Sequence, residues 1–157
     1  MRVKLEIPII IRRVKIKGLT GFREIDMVLD TGAVYPVRNN APLGFESRYS
    51  GTGISNGVNT VIAWDVAKDI GYDPAISERR MPIITANGVI EAPLITVESI
   101  YIKDLWKESV DVICHDIPEI TGIEGLLGIS FLKHFRTLID FNTMVLEITP
   151  IPQSWNP

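Results

Sequence analysis

Ile25 to Ala33, I-D-M-V-L-D-T-G-A, is the stretch on which the fold turns. An apolar run, Met27-Val28-Leu29, drives into an acid, a hydroxyl and a glycine. The run reads as a buried strand, and a lone carboxylate at its tip is costly to bury without a partner. Asp30 is therefore either a turn residue that escapes to solvent or a carboxylate placed for chemistry. Turn formation alone accounts for Asp-Thr-Gly, because Asp bonds its own backbone and Gly reaches positive φ. The triplet needs support from the rest of the chain.

Upstream, Val3 to Ile7 and Val14 to Lys17 alternate apolar and polar residues, as strands with one buried face do. Gly18 and Gly21 punctuate a turn before Glu24 to Leu29, so the start reads as an antiparallel meander. Downstream, residues 36–58 are rich in Gly, Asn, Ser and Pro, the composition of a loop. Gly51, Gly53 and Gly57 lack the G-x-G-x-x-G spacing of a phosphate cradle, so nucleotide binding is set aside.

Val61-Ile62 is a short apolar segment. Ala63, Val66, Ala67 and Ile70 then share one helical face, and Gly71 is placed to end the helix. Two β-prone runs, Met81 to Thr85 and Val89 to Glu91, flank Ala86-Asn87-Gly88, a strong hairpin signal. Leu94 to Ile102 and Val110 to Cys114 add strands. Gly125-Leu126-Leu127-Gly128 is a second apolar run ending in glycine, followed by Phe131, Leu132 and Phe135 on one helical face. Arg136 to Phe141 and Met144 to Ile148 alternate around Asn142-Thr143, and Pro150, Pro152 and Pro157 argue against regular structure in the tail. Val28-Leu29-Asp30-Thr31-Gly32 and Leu126-Leu127-Gly128-Ile129-Ser130 thus follow one plan, which predicts a domain built twice over with its two glycine turns meeting near the middle. Only the first half carries an acid there.

The whole chain, 157 residues with 46% hydrophobic and 22% charged, has ordinary globular composition and the length of one domain. The net charge of −3 gives no basic face for nucleic acid. The apolar run Ile7 to Ile11 is far short of a membrane span, and with Arg12-Arg13 behind it does not read as a signal peptide. The single cysteine, Cys114, fits a reducing, cytoplasmic setting and reads as a small buried hydrophobe. Cys114 and His115 point to opposite faces of a strand and cannot act as thiol and base. His115-Asp116 and His134 are too few for a metal site. Trp64, Trp106 and Trp155 read as packing anchors.

In this order, the motifs resemble the retropepsin-like aspartic peptidases, particularly their single-domain bacterial members. The matching stretches are Asp30-Thr31-Gly32-Ala33, Thr60-Val61-Ile62 with the helix ending at Ile70-Gly71-Tyr72-Asp73-Pro74, and Thr85-Ala86-Asn87-Gly88. Gly125-Leu126-Leu127-Gly128 with Phe131-Leu132, and Ile139-Asp140-Phe141, complete the set. The resemblance implies an all-β fold with one or two short helices, a closed acid-protease barrel with one D-T-G loop per chain. It implies a homodimer acting on peptide or protein, with no cofactor or metal. Asp30 would be the catalytic carboxylate, paired with its copy across a two-fold axis. Thr31 would bond across that axis, Gly32 would allow close backbone approach, and Ala33, where relatives carry Ser, would shift the pH optimum to less acidic values. Thr85 to Gly88 would be the flap over substrate, and Leu126, Leu127 and Gly128 would pack behind the catalytic loop.

Relatives run from D-T-G-A almost directly into T-V-I, whereas here residues 34–59 intervene. The expected layout is one domain over 1–150 with that insertion and a tail, 151–157. The segment leaves the catalytic loop and returns beside it, so it is placed to narrow, cover or block the cleft. That leaves a rival to the peptidase: a binding domain of the same fold, closed by its insert.

Overall fold

The computed structural model describes residues 1–4, 8–31, 58–85, 88–117 and 122–151. A ring of six strands closes on itself: β2 (Ile10–Lys17), β3 (Phe22–Leu29), β8 (Gly125–Leu127), β4 (Val61–Ile62), β7 (Leu105–Cys114) and β6 (Gly88–Ile102), with β6 returning to β2. The closing register pairs Lys15 with Tyr101 and Ile16 with Ile100. Each of these strands is thereby paired on both sides over part of its length. Closure also gives the inward residues one core: Ile11, Val14, Ile16, Ile25, Met27, Val97, Ile100, Val110, Val112 and Leu127 are all buried.

Strand β2 keeps its apolar face inward through a bulge. Ile11 pairs with Met27 and Val14 with Ile25, so two residues of β2 face one of β3. Arg13 takes the strain, at φ 56°. Asp26 sits opposite and secures the bulge, accepting from the Arg13 amide at 2.9 Å and from Arg12 Nη1 at 2.6 Å. Burial pushes the Asp26 carboxyl up, but these two donors outweigh it and hold it below the ordinary carboxylate value.

Strand β5 (Arg80–Thr85) hangs off the first part of β6 as a hairpin, with Arg80 opposite Pro93 and Thr85 opposite Gly88. Helix α1 (Trp64–Asp69) buries Val66 and Ala67 and ends at Gly71, whose φ of 96° suits a residue without Cβ. Helix α2 (Ile129–Leu132) follows β8 directly and buries Phe131 and Leu132. Among the described residues, no helix is long and apolar enough to cross a membrane.

Three expectations change. The first strand is no neighbour of β2: β1 (Arg2–Lys4) joins a separate sheet in the order β1, β10 (Val145–Pro150), β9 (Phe135–Asp140). Met1 locks it there, its amino group donating to the Ile148 carbonyl at 2.6 Å while its carbonyl accepts from Ile148 N at 2.8 Å. Alternation identifies a strand but says nothing of its partner, so the opening meander is limited to β2 and β3. Pro150 ends β10, pairing with Phe135, where a missing amide costs little. Trp106 is no packing anchor: it is 53% exposed and stacks on Tyr101 with ring centroids 6.2 Å apart. Trp64 does lie against the core, and Trp155 is outside the described residues. Cys114 is fully buried at the end of β7, and burial pushes its thiol up to about 12.

Candidate active site

The two apolar-to-glycine runs meet as strands. Strands β3 and β8 pair in parallel, with Met27 opposite Gly125, Val28 opposite Leu126 and Leu29 opposite Leu127. Strands joined by so much intervening chain are brought together by the ring, and β4 completes the group by pairing antiparallel with β8. The approach is close enough to specify the residue. A Cβ at Gly125 would stand 2.6 Å from Met27 Cε and 2.8 Å from the Val61 carbonyl oxygen.

At the end of β3, Asp30 is half-buried and Thr31 is exposed. The ladder continues one step past the strand, because the Asp30 amide donates to the Leu127 carbonyl at 3.0 Å. Asp30, Leu126, Leu127 and Gly128 therefore converge. Gly32 and Ala33 lie outside the described residues. In the β5–β6 hairpin Thr85 and Gly88 face each other, while Ala86 and Asn87 also lie outside the described residues.

Beneath this convergence lies a polar cluster that the sequence pattern does not single out. Asn59, Thr60 and Ser130 are buried, at 3%, 0% and 4% exposure. Thr60 Oγ1 accepts from the Gly128 amide at 3.1 Å and from the Ser130 hydroxyl at 2.5 Å. The Thr60 amide donates to Ser130 Oγ at 3.2 Å, and the Thr60 carbonyl accepts from Ile113 N at 2.9 Å. Asn59 Oδ1 accepts from the amides of Ile129 and, at 3.4 Å, Ser130. Its Nδ2 donates to the Asp30 carbonyl at 3.3 Å. Gly128 has to be glycine here, because a Cβ would collide with the Asn59 carboxamide.

Asn59 thus belongs to the framework of the site. The available signal was an Asn-Thr pair standing directly before the apolar Val61-Ile62: two polar residues entering a buried strand must find partners. Chemically, the arrangement presents a carboxylate on a backbone whose amide and carbonyl are both held. Such a group can take a proton from water or give one to a carbonyl oxygen. Among the described residues, no three His, Cys, Asp or Glu side chains gather to hold a metal ion.

Comparison with known proteins bears on this geometry. The model of a family described as "gag-polyprotein putative aspartyl protease" matches residues 55–134, just over half of the chain. The matched span takes in Asn59, Thr60, the β5–β6 hairpin and the Gly125–Gly128 turn, and begins after Asp30. Among solved structures, the chain is similar to a retropepsin-like aspartic protease from Rickettsia conorii. The TM-score is 0.58 at 19% identity, covering 93% of this chain and 95% of that one. The likeness is one of fold: a closed, mainly β barrel. Against curated proteins, the sequence matches none.

Proposed function

The chain belongs to the gag-polyprotein aspartyl protease family, and from that premise we propose that it is an endopeptidase whose active site is made by two copies of Asp30, one from each subunit of a homodimer. The observation that carries this reading is the convergence of Asp30 with Leu127 and Gly128, which holds the backbone of a single carboxylate at the tip of a buried strand.

Amide hydrolysis by carboxylates needs two roles filled at once. One Asp30 takes a proton from the attacking water while the other, protonated, donates to the scissile carbonyl oxygen. The resulting gem-diol collapses as the first carboxyl returns its proton to the leaving nitrogen and the second takes back a proton from a diol hydroxyl. One chain supplies one D-T-G, so the second role falls to the twin subunit. Two carboxyls that close cannot both ionise, and the pair titrates as a unit. Thr31 bonds between the two loops, Gly32 permits their approach, and Ala33 offers no hydroxyl to favour the ionised form. The substrate lies as an extended strand under the hairpin tip at Thr85, Ala86, Asn87 and Gly88, bonded through its backbone. Such an enzyme needs no disulfide and suits the reducing cytoplasm.

The test is Asp30→Asn in the purified protein, assayed on a peptide library beside the parent. Hydrolysis falls by roughly a thousandfold or more, as loss of a central catalytic group requires. Sedimentation over the active concentration range shows a dimer. Undiminished cleavage by the asparagine variant, or full activity in a monomer, removes the reading.

A further inference from the structure

Resting on the peptidase reading, we propose that Asn59 is a positioning residue for the reaction. It ties the backbone of Asp30 to the start of helix α2, so that the carboxylate moves only when both loops move.

Asp30 is the last residue of the β3–β8 ladder, and a strand end is free to fray unless both of its backbone groups are held. Its N–H reaches Leu127 O directly at 3.0 Å. Its C=O reaches the same stretch of chain through Asn59: Nδ2 donates to Asp30 O at 3.3 Å, and Oδ1 accepts from the Ile129 and Ser130 amides. The orientation of the carboxamide is fixed by these partners. Two N–H donors on one side demand the oxygen, and a carbonyl on the other demands the nitrogen. Asn59 is 3% exposed, so water does not replace the bonds. Asparagine alone among small side chains supplies an acceptor and a donor from one rigid plane. Aspartate supplies the acceptor and repels the carbonyl; serine reaches one side only. A displacement of the reacting carboxyl by about 1 Å is enough to cost on the order of a hundredfold in rate.

The deciding variant is Asn59→Asp in the full-length protein, because it keeps the bonds to Ile129 and Ser130 and removes only the one to Asp30. Parent and variant are each measured at their own pH optimum, which separates misplacement from the effect of an added charge. Expected is a kcat lower by roughly ten- to a hundredfold with KM within about twofold, since Asn59 supports the loop and does not touch substrate. In parallel, the Asp30 amide exchanges hydrogen at least about tenfold faster, while the amides of Ile100 and Val112 in the ring keep their protection. A merely structural role would leave kcat at its optimum unchanged or would speed exchange across the whole ring. If Asn59→Asp does not fold, Asn59→Ser carries the same expectations. A parental kcat, or unchanged protection at Asp30, in whichever variant folds overturns the proposal. A parent protein that cleaves no peptide would instead sink the peptidase reading, and the exchange measurement would then decide the tether alone.

Discussion

Replacing Thr60 by valine separates the polar cluster from everything else in the barrel. The two side chains have nearly the same shape, and Thr60 is fully buried, so the substitution leaves no cavity. What it removes is one acceptor. The Gly128 amide, 3.1 Å away, and the Ser130 hydroxyl proton, 2.5 Å away, both lose their partner. A buried donor left unsatisfied costs about 1–3 kcal/mol. Rotation of the Ser130 hydroxyl recovers part of one loss, which puts the total at about 2–4 kcal/mol. For a chain of this size each kcal/mol moves the melting temperature by about 2–4 °C, so a fall of roughly 5–15 °C is expected.

Calorimetry and urea unfolding at one fixed protomer concentration provide the measurement, since association itself shifts stability. Thr60→Ser is the control: it keeps the oxygen, deletes a buried methyl and costs about 1 kcal/mol. Combining Thr60→Val with Ser130→Ala gives a double-mutant cycle with a coupling of at least about 0.5 kcal/mol. If Thr60→Val melts within about 2 °C of the parent, the cluster does not hold the second loop and the account of the site's framework fails.

The other expectations are briefer. Gly125→Ala drives a Cβ to 2.8 Å from the Val61 carbonyl, which is backbone and cannot step aside; urea unfolding registers a loss of about 1–3 kcal/mol. Cys114 binds its proton more tightly folded than unfolded, so stability is intact at neutral pH and declines once the unfolded thiol ionises near pH 9, continuing towards about 12. Chemical unfolding between those pH values shows the slope, Cys114→Ala abolishes its thiol component, and native protein resists thiol reagents at pH 8. At Asp111, burial pushes the carboxyl up, but bonds from Arg79 at 3.0 and 3.1 Å and from the Thr96 hydroxyl at 2.6 Å prevail and hold it low. That stability is present above the ordinary Asp value near 4 and disappears as pH falls through the lowered one. Because Arg79 is half-exposed, Arg79→Met costs only about 0.5–1 kcal/mol at pH 7, and the difference from the parent vanishes in acid.

Local chemistry made much of this molecule legible. Periodicity identifies β2, β3, β6, β7 and α1, because each buries one face and repeats with its own period. The common plan of Val28–Gly32 and Leu126–Ser130 points to the parallel β3–β8 pairing, since two apolar runs ending in glycine have matching shapes. Partner choice elsewhere is another matter. Nothing in Arg2-Val3-Lys4 distinguishes pairing with β2 from pairing with β10, because that is settled by the edge that β10 offers outside the ring. Trp106 shows the same limit: a large apolar side chain on an alternating strand points in or out according to register, and here it points out. Asn59 was hidden by its neighbours. Read with the Gly- and Asn-rich stretch before it, it looks like loop, and only its bonds to Asp30, Ile129 and Ser130 make it framework.

Those bonds also bear on the segment between Asp30 and Asn59. Residues 32–57 lie outside the described structure, but the segment starts just after Asp30 and ends just before Asn59, and these two residues are hydrogen-bonded to each other. A chain whose ends are already fixed together pays little for length: each doubling of a loop adds about 0.6 kcal/mol of closure entropy. Extending a turn of a few residues to this length therefore costs about 1–2 kcal/mol. The buried cluster of Asn59, Thr60 and Ser130 offsets that from within the site's own framework. The geometry at Asp30 is thereby uncoupled from the length of the segment that follows it. Sequence separation and spatial separation diverge at this point, and Asn59 is the residue at which they rejoin.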